Sequence, residues 1–66
     1  MNIKVNSKLI EVEERTLLQL LKQLNLDKRK GIAIAVNNEV IPGREWDQHI
    51  LNENDEVIVI GASQGG

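Results

Sequence analysis

Few side chains in this 66-residue sequence could take part in catalysis. His49 is the one histidine, cysteine is absent, and the hydroxyl groups are those of Ser7, Thr16 and Ser63. A nucleophile, a base and a group that orients the base can hardly be assembled from this set. Structural zinc sites need four nitrogen or sulfur ligands, so we predict no metal site and interpret His49 as a solvated loop residue. The side chains therefore argue against an enzyme.

The end of the chain, Gly65-Gly66, is better suited to chemistry. Glycine has no Cβ and adopts any backbone conformation cheaply, so a glycine tail can enter a channel that is too narrow for other residues. Residues 61–66 could reach about 20 Å beyond a folded domain at roughly 3.3 Å per residue. A carboxylate is an inert electrophile and must first be activated, typically as an acyl-adenylate made with ATP. We predict that Gly65-Gly66 delivers the terminal carboxylate to an enzyme and that this partner binds the ATP; a frayed end is the alternative.

Two other features favour plain structural roles. Lys28-Arg29-Lys30 is the one basic run, and we predict a solvated helix end that complements the helix dipole rather than a phosphate or nucleic-acid site. Gly61 and the terminal glycines do not form a phosphate-binding loop, because no helix follows them. The net charge of -2 and the single aromatic residue, Trp46, also argue against nucleic acid.

The composition predicts one small folded domain. Ile, Leu and Val contribute 8, 8 and 6 of the 66 residues, well above the roughly 20% level typical of disordered chains. The N-terminal residues lack both a basic and an apolar signal region, and the longest aliphatic run, 32–36, is far too short to span a membrane. We expect no targeting segment, no membrane partner and a cytoplasmic location.

The first half of the chain predicts a hairpin and a helix. Apolar and polar residues alternate over 2–6 and again over 10–13, around a turn at 6–8. Thr16 and Gln19 have the spacing of a capping box. Leucines then recur at i, i+3, i+4 and i+7 over 17–24, which is typical of a helix that packs on a sheet, and Asn25 can end this helix.

The second half predicts three strands. Residues 32–36 have bulky side chains on one face and alanines on the other, and Asn37-Asn38 is a tight turn into 39–41. An irregular segment follows, with inward anchors predicted at Trp46, Ile50 and Leu51. The last strand, 56–60, is apolar on both faces and should be central in the sheet.

This order of elements predicts an α+β protein: a mixed sheet with one helix packed on one face, the β-grasp of ubiquitin-like domains. The predicted domain covers residues 1–60, and residues 61–66 form a flexible C-terminal tail that ends in Gly-Gly.

The whole chain resembles the ThiS family of ubiquitin-like sulfur carrier proteins of thiamine biosynthesis. The resemblance is carried by 16–21 as the helix opening, Ala35-Val36-Asn37, Val40-Ile41-Pro42, Trp46 with His49-Ile50, Asp55 before 57–60, and the terminal Gly65-Gly66. Asn54 departs from the glycine that is common before the aspartate in relatives, although asparagine also accepts a positive φ.

The resemblance implies a sulfur carrier that is a protein cosubstrate rather than an enzyme. An adenylyltransferase of the ubiquitin-activating type would adenylate Gly66, a protein that donates cysteine-derived sulfur would supply the thiocarboxylate, and thiazole synthase would receive the sulfur. The protein itself would bind no cofactor, and ATP would be used by the activating partner.

By analogy with the fold, partners should dock on the uncovered sheet face. Either Val57 and Val59 or Ile58 and Ile60 must point away from the helix, and that pair could form an apolar patch with Ala33 and Ala35. We name Ile58 and Ile60 with the two alanines as the candidate patch. The alternative is that these side chains pack under the irregular segment 44–54.

Three other functions are compatible with these residues. They are a sulfur carrier of molybdopterin synthesis, a ubiquitin-like modifier that is joined to lysines of target proteins, and a β-grasp interaction module whose tail has no role. The short chain without phenylalanine favours the thiamine pathway over molybdopterin synthesis.

Overall fold

The structure is a computed structural model that describes residues 1–61. Within these residues it contains a five-stranded sheet, one α-helix and one short 3-10 turn. Their bounds are β1 Asn2–Val5, β2 Lys8–Glu11, α1 Leu17–Gln23, β3 Ile32–Val36, β4 Glu39–Ile41, the 3-10 turn Gly43–Glu45, and β5 Glu56–Gly61. The predicted roles of Gly65 and Gly66, and most of the predicted tail, lie outside the described residues.

Two tight turns connect the hairpins of the sheet. Asn6 and Ser7, between β1 and β2, have φ values of 49° and 71°, and Asn37 and Asn38, between β3 and β4, have 51° and 72°. Positive φ at both central residues defines the type I′ turn, whose twist matches that of the flanking strands. Asparagine tolerates this conformation, so both turns lie where the sequence predicts them.

The helix also begins where its sequence predicts. Thr16 Oγ1 accepts a hydrogen bond from the Gln19 backbone N–H at 3.2 Å. The helix ends at Gln23 with Leu24 as its C-cap, and Asn25 follows in the left-handed region with a φ of 61°. The leucine stripe of α1 faces the sheet, and its members Leu17, Leu20 and Leu21 are fully buried.

The strand order is β2-β1-β5-β3-β4. The neighbouring strands β1 and β5 are parallel, and the other pairs are antiparallel. The helix covers one face of this mixed sheet, which confirms the predicted α+β class and β-grasp arrangement. The strand β5 lies in the middle, as its apolar residues on both faces predict. The core between helix and sheet consists of Ile3, Val12, Leu17, Leu20, Leu21, Ile34, Val36, Ile41, Leu51 and Val57.

The segment between β4 and β5 packs on the helix side of the sheet. Trp46 packs against the core and donates from Nε1 to the Ile41 carbonyl at 2.9 Å, and Leu51 is 1% exposed. The prediction that Ile50 points inward is wrong, since Ile50 is 52% exposed. Ile50 forms an isolated bridge with Thr16, and because side chains alternate along extended backbone, placing Leu51 in the core turns Ile50 outward.

This segment also completes the helix N-terminus. The first backbone N–H groups of a helix have no partner within the helix. The N–H of Leu17 donates to the His49 carbonyl at 2.9 Å, and that of Leu18 donates to the Trp46 carbonyl at 3.0 Å. The backbone carbonyls of Trp46 and His49 therefore stabilise the N-terminus of the helix.

Candidate functional site: the open sheet face and the end of the last strand

The register of β3 on β5 decides which residues of the last strand face away from the helix. Ala33 lies opposite Ile60, and Ala35 lies opposite Ile58. Directly paired residues project to the same face of a sheet, so these four side chains share one face. Val57 is fully buried on the other face, and Val59 packs against the core there. The structure thus brings together the four residues of the candidate patch.

The neighbouring strand β4 adds Val40 to this surface. Val40 lies opposite Ala35 and is 63% exposed, and Ile60 is 49% exposed. We call Ala33, Ala35, Val40, Ile58 and Ile60 the apolar patch. Ala35 itself is buried at 7% exposure, so Ile60 and Val40 provide most of the accessible apolar side-chain surface. The patch predicted from the sequence did not include Val40, although the alternation of Glu39, Val40 and Ile41 indicates that Val40 faces away from the core.

The alternative position for these side chains, under segment 44–54, is wrong. That segment contacts the helix and the core through Trp46 and Leu51, which lie on the opposite face of the sheet. In the described part of the chain, the side chains of Val40 and Ile60 remain open to solvent. Exposed apolar side chains that cluster on one surface are typical of sites where another protein binds.

Polar contacts hold the start of β5 in place. The buried Asp55 carboxylate accepts from Asn37 Nδ2 at 2.9 Å and from the Asn52 N–H at 2.8 Å. Asn37 Oδ1 in turn accepts from the Glu56 N–H at 2.9 Å. These bonds tie the turn between β3 and β4 to the strand that leads into the tail. Asn54, just before Asp55, has a φ of 70°, which confirms that asparagine accepts the geometry expected there.

The last described residue, Gly61, pairs with Ile32 at the end of β5. The strand therefore extends one residue beyond the predicted 56–60. A Cβ built on Gly61 would meet no atom of the described residues within 4 Å, so residues 1–60 do not require glycine at this position. Near this end of β5, the Val59 N–H donates to Asn6 Oδ1 at 2.8 Å. This bond gives the Val59 N–H a partner beyond the point where β1 ends at the turn.

Within residues 1–61, the side chains considered for catalysis are not brought into a common site, and Ser63 lies outside the described residues. His49 is partly buried in the segment before β5, Ser7 lies in the first turn, and Thr16 caps the helix. Residues 1–61 contain no group of three or more histidine, cysteine, aspartate or glutamate side chains that could hold a metal ion. In the same residues no helix is long and apolar enough to cross a membrane.

The five-stranded sheet, the single helix of residues 1–61 and the apolar patch beside the outgoing strand define a ubiquitin-like β-grasp protein. Residues 3–66 match the model of the ThiS family. The sulfur carrier protein ThiS of Escherichia coli (strain K12) is 33% identical over 52 residues, which are 79% of this chain and 77% of that protein. This chain belongs to the ThiS family.

Solved structures agree with this assignment. The crystal structure of the thiamine biosynthesis protein ThiS from Geobacter metallireducens matches with a TM-score of 0.83 and 25% identity, covering all of both chains. The solution structure of a thiamine biosynthesis protein from the same organism has a TM-score of 0.76 and 25% identity, and the match covers 100% of this chain and 88% of that one.

Proposed function

We propose that this protein carries sulfur as a thiocarboxylate on Gly66 and donates it for thiazole formation in thiamine biosynthesis. That the protein is a sulfur carrier of thiamine biosynthesis and not an enzyme follows from its membership of the ThiS family and from the relatives described above. The proposal that Gly66 carries the sulfur is supported by the extent of the family match, which runs from residue 3 to Gly66 and so includes Gly65-Gly66.

The proposed chemistry activates the Gly66 carboxylate first and then transfers sulfur to its carbonyl carbon. The carboxylate first attacks the α-phosphorus of ATP, which releases pyrophosphate and leaves an acyl-adenylate. The terminal sulfur of a persulfide on the donor protein then attacks the carbonyl carbon and AMP leaves, which gives an acyl disulfide. A thiol attacks the donor-side sulfur of that disulfide, forms a new disulfide with the donor cysteine, and releases the thiocarboxylate on the terminus. The protein contributes the carboxylate and a narrow glycine end that fits an enclosed active site.

We assign three partners to this protein from its family. An adenylyltransferase of the ubiquitin-activating type would bind ATP and form the adenylate, and a donor protein would supply cysteine-derived sulfur. Thiazole synthase would accept the sulfur. Because the first step consumes ATP, we assign the reaction to the cytoplasm.

The apolar patch is the proposed docking surface for these enzymes. Ile58 and Ile60 belong to the strand that leads directly into the tail, so an enzyme that covers the patch also holds the root of the tail. Burying Val40 and Ile60 in an interface would remove apolar surface from water, which favours association. The helix offers less apolar surface, since Leu17, Leu20 and Leu21 are already buried in the core.

Intact-mass spectrometry tests the proposal. The full chain is incubated with ATP, a candidate activating enzyme and a sulfur donor, and pyrophosphate release is followed in parallel. We expect a mass gain equal to the exchange of one oxygen for sulfur, and its loss when Gly66 is deleted. No pyrophosphate and no mass change with enzymes that process another ThiS protein would contradict it. Covalent adducts with other proteins in cells would instead indicate a protein modifier.

A further inference from the structure

The basic run Lys28-Arg29-Lys30 does not lie where the helix dipole could explain it. The helix ends at Gln23, and the basic residue in its last turn is Lys22. The dipole effect falls off within the last turn, so residues five and more positions beyond the helix gain little from it. The prediction that this run complements the helix dipole is therefore wrong. All three side chains are exposed.

The sheet register places this run beside the root of the tail. Ile32 opens β3 and pairs with Gly61, the last described residue of β5. The two strands are antiparallel, so the residues that immediately precede Ile32 approach the sheet at the end where β5 leaves it. Lys30 is two residues before Ile32. The basic run and the end of β5 are far apart in the sequence, so their proximity is evident only from the strand pairing.

Acidic residues lie at the other end of the sheet. Glu56 opens β5, Glu11 pairs with Asn2 at the start of the parallel strand β1, and Glu53 Oε2 accepts from the Asn2 N–H at 3.0 Å. Five steps along β5 separate the two ends by about 17 Å at roughly 3.3 Å per residue. This is about twice the screening length of roughly 8 Å at physiological salt. The protein has a net charge of -2, yet residues 27–30, with three basic side chains and Asp27, carry a net positive charge where the tail begins.

We propose that Lys28, Arg29 and Lys30 form a basic collar that docks on acidic side chains of the activating enzyme around the entrance that the tail enters. This inference rests on the proposed function. Opposite charges on two docking surfaces accelerate encounter and orient the partners before short-range contacts form. The collar would direct the correct end of the protein, and hence Gly66, toward the entrance.

The length of the tail favours a protein surface over the phosphates of ATP as the partner of the collar. Five residues follow Gly61, and an extended chain of that length spans about 17 Å. A nucleotide that reacts with the Gly66 carboxylate at the end of an extended tail therefore lies well away from the collar. The groups that come close to the collar in such a complex are those on the outer surface of the enzyme.

The test uses adenylation of the full chain by an activating enzyme, measured as pyrophosphate release at several salt concentrations. The variant K28Q/R29Q/K30Q removes the collar charges. Arg29→Gln and Arg15→Gln are matched single changes of exposed arginines, and Arg15 lies outside the collar and the apolar patch. Circular dichroism and thermal unfolding verify that each variant is folded.

We expect the triple variant to lower kcat/KM about 10-fold at low salt, within the range of electrostatic steering, with kcat changed less than about 2-fold. The difference should shrink as salt is added, and Arg29→Gln should have a larger effect than Arg15→Gln. An unchanged kcat/KM in the triple variant, or equal effects of the two arginine changes, would refute the collar. A fall in kcat that salt does not alter would indicate contact with nucleotide and would also refute it. If the wild-type chain is not adenylated at all, the proposed function fails first.

Discussion

Shortening Val40 and Ile60 to alanine should weaken binding to the activating enzyme about 30-fold. Burial of a methylene-sized group contributes about 0.8 kcal/mol. Ile60→Ala removes three such groups from a side chain that is 49% exposed, and Val40→Ala removes two from one that is 63% exposed. Only the exposed fraction of each side chain can become newly buried in the complex, so each change weakens binding by roughly 1 kcal/mol. The two changes together weaken it by about 2 kcal/mol, which corresponds to the 30-fold change in Kd.

Isothermal titration calorimetry of the full chain with the activating enzyme measures this change. The matched control is Ile50→Ala, which deletes the same atoms from a side chain that is 52% exposed but belongs to the segment on the helix side of the sheet. The double variant V40T/I60T keeps the β-branched shape that strands favour, so it separates lost contact from lost strand propensity. Thermal unfolding of each variant shows whether the domain remains folded.

The expected order of affinities is wild type and Ile50→Ala together, then V40T/I60T, with V40A/I60A weakest. If V40A/I60A binds as tightly as wild type, the apolar patch is not the docking surface. If Ile50→Ala weakens binding as much as V40A/I60A, the enzyme does not distinguish the two faces. Either result would refute the assignment of the open sheet face while leaving the sulfur chemistry at Gly66 untouched.

Four further changes test the supports of the site, each by denaturant unfolding followed by tryptophan fluorescence. Thr16→Ala should cost about 1 kcal/mol through loss of the helix cap, and Thr16→Ser should cost much less. Asp55→Ala should cost about 2 kcal/mol, because it leaves Asn37 Nδ2 and a backbone N–H without their acceptor, and an unchanged stability would refute the role of this carboxylate. Asn54→Ala should cost about 1 kcal/mol because φ is 70°, whereas Asn54→Gly should not destabilise. Gly61→Ala should leave unfolding unchanged, and destabilisation would show that the site is more crowded than the structure indicates.

Local patterns in the sequence were sufficient for the elements of the fold. The helix follows from the Thr16 cap and the leucine spacing, and the tight turns follow from asparagines, which tolerate a positive φ and occupy all their central positions except that of Ser7. These features act over a few residues, so they can be interpreted without knowing the partners of each strand. The central position of β5 was also predicted, because strands that are apolar on both faces are typical of the middle of a sheet.

Local patterns were less reliable in the segment between β4 and β5. Trp46 and Leu51 are apolar and pack inward as predicted, whereas Ile50 is equally apolar and points outward. No periodicity distinguishes Ile50 from Leu51, since both are aliphatic neighbours in an irregular segment. The orientation of Ile50 depends on its bridge to Thr16 and on the backbone hydrogen bonds between this segment and the helix N-terminus. These contacts cannot be inferred from the sequence.

The sequence by itself thus determined the elements of the fold, and Gly65-Gly66 as the candidate for sulfur chemistry followed from residue type and from the family resemblance. The tertiary structure decided which surface accompanies that end. A period of two shows that Ile58 and Ile60 share a face but not which face is open, and this depends on the helix packing over Val57. In the same way, only the pairing of Ile32 with Gly61 brings the basic collar to the root of the tail, because strand register joins residues that are far apart along the chain.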